Sequence, residues 1–276
     1  MSDFDKHAGV SVEIGGMPIF LRTADPSFRQ LLESRYRGFL SDSGEPRYSF
    51  DIDLREPLAD AEVEDPELDA DLKVAFHNGQ WLLRRGDFDA QLDPRSARGR
   101  VRQPASPYSM DSVLRIVHTL ILAREGGFLM HAASGIRNGR AYLFAGVSGA
   151  GKTTISRLAP ADTILLSDEI SYVRRDGPGY IACGTPFSGE LAKSGENQSA
   201  AISTVFLLQQ GPENRIDDIE PQDAVRSLLR NILFFAEDAE LVRLVFQSAC
   251  EFIGRVPVRR LTFTPDQRVW EMIGTP

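Results

Sequence analysis

The segment Gly146-Val147-Ser148-Gly149-Ala150-Gly151-Lys152-Thr153 constrains this chain more than any other. It fits G-x-x-x-x-G-K-[ST] in full, between an apolar run at 141–145 and a helix-compatible run at 153–158. Such a loop withholds side chains so that backbone N–H groups can approach a polyphosphate, and a following helix N-terminus adds partial positive charge. Lys152 is then placed to reach the β- and γ-phosphates, and the Thr153 hydroxyl to ligate magnesium. The expected cofactors are ATP and Mg2+, with nucleotide contacts from Gly146, Val147, Ser148, Gly149, Ala150, Gly151, Lys152, Thr153 and Thr154. The loop does not fix the reaction, because kinases, ATPases and switches share it.

A metal-bound triphosphate calls for carboxylates at the end of a neighbouring strand. The run 163–169, Thr-Ile-Leu-Leu-Ser-Asp168-Glu169, predicts a central strand with two acids at its C-terminal end, where open α/β sheets bind ligands. One acid could hold magnesium while the other accepts a proton from an attacking hydroxyl. Alone, the pair reads first as a solvated acidic turn; its place just after a P-loop helix favours the functional reading. His131 interrupts the apolar strand ahead of the loop strand. A lone histidine in a strand is usually a core or edge residue and counts for chemistry only when a site surrounds it.

Around this centre the chain divides by texture. Residues 1–104 read as a small antiparallel sheet with one helix. A hairpin is expected over Gly15-Gly16, a helix from 28 to 39 with Asp25 as its cap, and strands at 48–54, 72–76, 80–84 and 88–92. The stretch 58–71 reads as an acidic exposed loop. Residues 105–276 read as the second domain, with helices at 111–124, 228–235 and 241–252 and strands at 128–133, 141–145, 164–166, 170–173, 202–208, 258–263 and 269–272.

The net charge of -8 argues against a nucleic-acid partner, whose phosphates need a basic face. Two cysteines, Cys183 and Cys250, read as buried thiols rather than a disulfide framework. The N-terminus lacks the basic and apolar regions of a signal peptide, and no apolar run is long enough to span a bilayer. No membrane partner and a cytoplasmic location are therefore expected.

Met130-His131, the loop with Lys152-Thr153, and Ser167-Asp168-Glu169 together resemble the catalytic core of HPr kinase/phosphorylase. That family has a Met-His pair before its P-loop and an Ala-Asp-Asp turn after it. The segment GVSGAGKTTIS at 146–156 also resembles ATP-dependent phosphoenolpyruvate carboxykinase, which shares that fold. The likeness covers residues 128–190 and, loosely, 256–261. It implies an α/β (α+β overall) chain. A C-terminal P-loop domain with a mixed sheet and flanking helices would follow a small β-rich N-terminal domain. It further implies catalytic roles for His131, Lys152, Asp168 and Glu169. Glu169 would accept the proton of a serine hydroxyl, and the metal would lie at Thr153, Asp168 and Glu190. Arg259 or Arg260 would neutralise the transferring charge. A homo-oligomer is conceivable on the same ground, since HPr kinases are hexamers. Two features depart from the family: the N-terminal half is different, and its glycine-rich signature beyond Glu190 is missing.

The resulting expectation is an ATP-dependent kinase acting on a hydroxyl of a protein, peptide or small molecule. The alternative is a non-catalytic nucleotide-binding switch, which needs only one carboxylate on its metal side.

Overall fold

The structure, a computed structural model, describes residues 9–42, 45–56, 72–187, 189, 191 and 194–274; the expected loop at 58–71 and Glu190 lie outside them. The chain forms two compact units, one of residues 1–117 with 235–239, the other of 118–234 with 240–276.

The first unit starts with the hairpin β1 (Gly9–Ile14) and β2 (Met17–Thr23). Gly15 and Gly16 both take positive φ, 62° and 75°, as a two-residue hairpin turn of this hand requires. In α1 (Pro26–Arg35) the Asp25 carboxylate accepts the Phe28 N–H at 2.7 Å, satisfying a donor that has no partner within the helix. The helix stops at Arg35, and the last expected turn is a 3-10 turn at Arg37–Phe39. Then follow β3 (Tyr48–Leu54), β4 (Lys73–His77), β5 (Gln80–Arg85), β6 (Phe88–Asp93) and β7 (Arg98–Gln103). The sheet order is β1-β2-β3-β7-β6-β5-β4. It is mixed rather than antiparallel as expected, because β2, β3 and β7 run parallel. The unforeseen strand β7 alternates by charge, not by hydrophobicity. Arg98, Arg100 and Arg102 face outward while Val101 and Gln103 are buried. Arg100 meets Asp53 at 2.8 Å, and Arg22 meets Asp51 at 3.4 Å. These cross-strand pairs keep β3, with two outward aspartates, stable inside the sheet.

The long helix α2 (Pro107–Glu125) begins in this unit. Its Asp111 is buried and accepts from Arg35 at 2.6 and 3.1 Å and from the Tyr36 hydroxyl at 2.7 Å. Burial pushes the Asp111 carboxyl above its ordinary range, against the opposing pull of the Arg35 guanidinium and Tyr36.

The second unit contains β8 (Phe128–Arg137), β9 (Arg140–Ala145), α3 (Lys152–Arg157), β10 (Ile164–Ser167), β11 (Ile170–Asp176), β12 (Gly179–Cys183), β13 (Ser199–Gln210), β14 (Arg215–Asp218), α4 (Pro221–Asn231), β15 (Ile232–Leu233), α5 (Ala239–Ile253) and β16 (Val258–Phe263). Nine strands form one mixed sheet with the path β10-β8-β11-β12-β13-β16-β14; β9 joins β8 to β13, and β15 pairs β8. The pairing closes a circuit, since β8 reaches β13 both through β11 and β12 and through β9. Phe128, Met130, Leu143, Leu166, Val173, Tyr180 and Val205 from the sheet's strands pack in one apolar cluster with Leu228 of α4 and Phe252 of α5.

Several expectations are corrected. The 163–168 run is an edge strand, β10, not a central one. Its outer backbone edge is met by two later residues: Thr185 N–H donates to the Leu166 carbonyl at 3.0 Å and Glu196 N–H to that of Leu165 at 2.9 Å. The helix expected at 228–235 ends at Asn231, and Ile232–Leu233 pair with β8 instead. Residues 267–271 form a 3-10 turn rather than a strand, with Asp266 capping Arg268 N–H. The short strands β12 and β14 carry too few alternating apolar residues to announce themselves. Cys183 is buried, which pushes its thiol up to about 11, but Cys250 is exposed on α5. Among the described residues no helix is long and apolar enough to cross a membrane.

Replacing Arg35 by methionine leaves Asp111 buried without its cation, so we expect a loss of about 3–5 kcal/mol in urea unfolding at neutral pH. The sign of the pH dependence follows from the raised carboxyl. The folded state takes up this proton before the unfolded state does, so protonation stabilises it. The deficit of the variant is therefore largest near pH 7 and shrinks as pH falls toward 4. An undiminished deficit at low pH would contradict the assignment.

Candidate functional site

The site is built where β8 changes partners. On one edge β10 pairs with residues 134–136 and β11 with residues 128–131. The two-residue turn Asp168-Glu169 joins β10 to β11, and Ala132 N–H donates to the Glu169 carbonyl at 2.9 Å. On the other edge β9 pairs from Ala132 to Arg137, and β15 pairs with Leu129 and Met130. His131 lies at this change of partner, exposed in a strand otherwise almost wholly buried.

The glycine-rich loop leaves β9 at Ala145, beside the parallel strand β13, in which Leu207 is level with Ala145. Gly149 and Gly151 take φ of 77° and 109°, a region where L side chains are strained. A Cβ on Gly151 would stand 2.6 Å from the Phe263 ring. The Ala150 N–H donates to the Val147 carbonyl at 3.0 Å, and Lys152 Nζ donates to the Gly146 carbonyl at 3.0 Å. The C-terminal segment braces α3 from below: Trp270 Nε1 donates to the Ile155 carbonyl at 3.0 Å, and Arg137 donates to the Trp270 carbonyl.

The acidic turn is shaped by Ser167, whose hydroxyl accepts from Glu169 N–H at 3.2 Å and Ile170 N–H at 2.9 Å. The two acids differ sharply. Asp168 is 3 % exposed, and its two oxygens accept from Gly189 N–H and Leu191 N–H, each at 2.9 Å. Glu169 is half-buried. Gly189 fits against both: a Cβ there would stand 2.8 Å from Glu169 Cβ and 3.2 Å from Asp168 Oδ2.

One cavity of about 760 Å³ gathers these parts. His131, the loop from Gly146 to Gly149, Gly151 to Thr154, Asp168, Glu169 and Gly189 all line it. Ala150 does not; it is buried beneath the loop in the apolar cluster of Ile155, Phe206 and Phe263. Arg259 and Arg260 do not line it either. Arg259 pairs with Asp218 at 3.1 Å, and Arg260 stands opposite Asp217 on β14. Two contributions were missed by sequence reasoning. The end of α4 supplies Ser227, Arg230 and Asn231, and the end of β13 supplies Gln210. The misplaced helix at 228–235 hid the first. The second had a signal, the polar pair Gln209-Gln210 closing an apolar strand. Among the described residues no group of three or more His, Cys, Asp or Glu side chains forms a metal cluster.

Charged acceptors form the stronger hydrogen bonds, so the Asp168→Ala exchange removes two from the chain at 189–191. We expect the amides of Gly189 and Leu191 to exchange hydrogen roughly ten- to a hundredfold faster, with β8 and β9 unaffected. Unchanged exchange at both amides would contradict the pin.

The family described as "SynChlorMet cassette protein ScmC" matches residues 102–275. No curated protein matches the chain. Among solved structures, the chain is similar to the Hpr(Ser) kinase/phosphatase from Coxiella burnetii at 13% identity and a TM-score of 0.23, covering 43% of this chain and 93% of that one. The family match spans well over half of the chain, including every residue of the cavity, and the protein belongs to the ScmC family of SynChlorMet cassette proteins.

Proposed function

We propose that this protein is an ATP-dependent phosphotransferase that moves the γ-phosphoryl group to a hydroxyl of a protein, peptide or small molecule. The observation that carries this reading is the shared cavity: glycine-rich loop, paired acids, His131 and Arg230 open into one space. The fit to a polyphosphate rests on the loop itself. Gly146 and Gly151 let the loop pass close over Ala150 and Phe263, Gly149 faces open space, and Lys152 lines the cavity at the loop's end.

Each residue then has a role set by its surroundings. The N–H groups of the loop and Lys152 bind the phosphate oxygens; Lys152 Nζ exchanges the Gly146 carbonyl for them. Thr153 and Asp168 would hold magnesium, which supplies positive charge at the phosphates when bound. Asp168 keeps this capacity because each carboxylate oxygen has a second lone pair beyond its bond to Gly189 or Leu191. Glu169, half-buried at the cavity wall, takes the proton of the acceptor hydroxyl. As that oxygen bonds to phosphorus, the bond to the β–γ bridging oxygen breaks and the diphosphate leaves. His131 orients the acceptor, and Arg230, which also lines the cavity, faces the charge in transfer. Positioning and electrostatics supply most of the acceleration in such reactions.

The test is transfer from ATP-Mg to candidate hydroxyl acceptors by wild type, Lys152→Ala, Asp168→Asn and Glu169→Gln. We expect Glu169→Gln to lose about 10²–10⁴-fold in kcat. Lys152→Ala should lose on the order of 10³-fold in kcat/KM with its fold intact. Tight ATP binding without transfer to any acceptor would favour the switch instead, and full turnover by Lys152→Ala would remove the site assignment.

A further inference from the structure

Gln210 ends β13, three residues beyond the level at which β9 releases the glycine-rich loop. The strand therefore continues alongside the loop. Its last side chain crosses to it, and Gln210 Nε2 donates to the Gly149 carbonyl at 2.7 Å. The peptide between Gly149 and Ala150 is thus held at both ends, because its N–H donates to the Val147 carbonyl at 3.0 Å. Gly149 has φ of 77° and no heavy atom within 4 Å of where a Cβ would be. Sterics do not lock this peptide; the two hydrogen bonds do.

Orientation of this peptide matters for an anion. With its oxygen bonded to Gln210 and its N–H to the Val147 carbonyl, this peptide is held in one orientation. Turned the other way, the same carbonyl would set a negative dipole among the donors that must meet phosphate. We propose that Gln210 is a positioning residue that holds the Gly149–Ala150 peptide in the anion-accepting orientation, so that the cradle is formed before nucleotide arrives. This rests on the nucleotide-binding part of the reading above. It adds that affinity for the phosphates depends on a side chain from outside the loop.

Gln210 also lines the cavity, so a direct contact with the nucleoside is the competing explanation. Inorganic tripolyphosphate separates them, because it has phosphates and no base or sugar. Titrations of ATP-Mg and tripolyphosphate-Mg into the full chain, followed by calorimetry, would compare wild type, Gln210→Ala, Gln210→Glu and the exposed neighbour variant Gln209→Ala. For Gln210→Ala we expect both ligands to weaken in parallel, by roughly three- to tenfold, the usual worth of one hydrogen bond. Gln210→Glu keeps the shape but sets an oxygen against the Gly149 carbonyl, so it should weaken both further. Gln209→Ala should match wild type. Loss of ATP affinity with tripolyphosphate binding intact would overturn the proposal in favour of a nucleoside contact. Wild-type affinity for both ligands in Gln210→Glu would overturn it outright. Binding of neither ligand by the wild-type chain would remove the nucleotide reading itself, and with it this inference.

Discussion

Everything in the second unit depends on β8 serving four partners. A ten-residue strand has two edges, and each edge here is shared by two other strands. The circuit through β11, β12, β13 and β9 can close only because β8 gives up one partner and takes the next at the same level on both edges. Backbone groups at such a break must find other partners, since buried N–H and C=O groups left unpaired are costly. They do so locally: Ala132 N–H goes to the Glu169 carbonyl, and the Ser171 hydroxyl donates to the Ala132 carbonyl at 2.8 Å. The acidic turn is thus a repair of the sheet as well as a feature of the cavity. This dual use explains how two carboxylates come to stand beside the loop.

The same economy separates the two acids. Asp168 holds the N–H groups of Gly189 and Leu191, while Glu169, half-buried, lines the cavity. The segment 184–198 is fastened elsewhere too, by Thr185 and Glu196 to β10 and by the Gly184 N–H to the Gln198 carbonyl at 2.9 Å. An edge strand that would otherwise present open backbone groups is covered by this excursion. The covering brings Gly189 against the acids. Edge protection and the wall of the cavity are one piece of chain.

What the sequence made legible follows from how locally each feature is determined. The hairpin at Gly15-Gly16, the cap at Asp25 and the loop from Gly146 to Thr153 are set by residues adjacent in the chain, and each was readable. So was the pairing of His131 with the acidic turn, though only through resemblance, since no spacing rule joins residue 131 to residue 168. Features set by distant pairing were not readable. The strand β7 earns its place by charges on β3, invisible to a search for apolar alternation. The position of β10 at the edge could not be told from its apolar run, because a loop covers that edge as a strand would have. Arg259 and Arg260 matched the family's late arginine only by position; the short strand β14, unforeseen, pairs Asp218 with Arg259 and sets Asp217 opposite Arg260.

Close approach is the least legible constraint of all, and it governs the cavity. A Cβ at Gly195 would collide with the Leu166 carbonyl, one at Gly184 with that of Glu196, and one at Gly189 with the acids. Their spacing, 184, 189 and 195, matches no period of helix or strand. Without the fold they read as ordinary loop glycines, chosen for freedom. In the fold they are chosen for size: Gly195 passes against β10, Gly189 against its acidic turn, and Gly184 against Glu196. A methyl group at Gly195 would press on the edge strand, and one at Gly189 on the acids that line the cavity. The precision of the site therefore resides in what these positions lack as much as in the side chains that face the cavity.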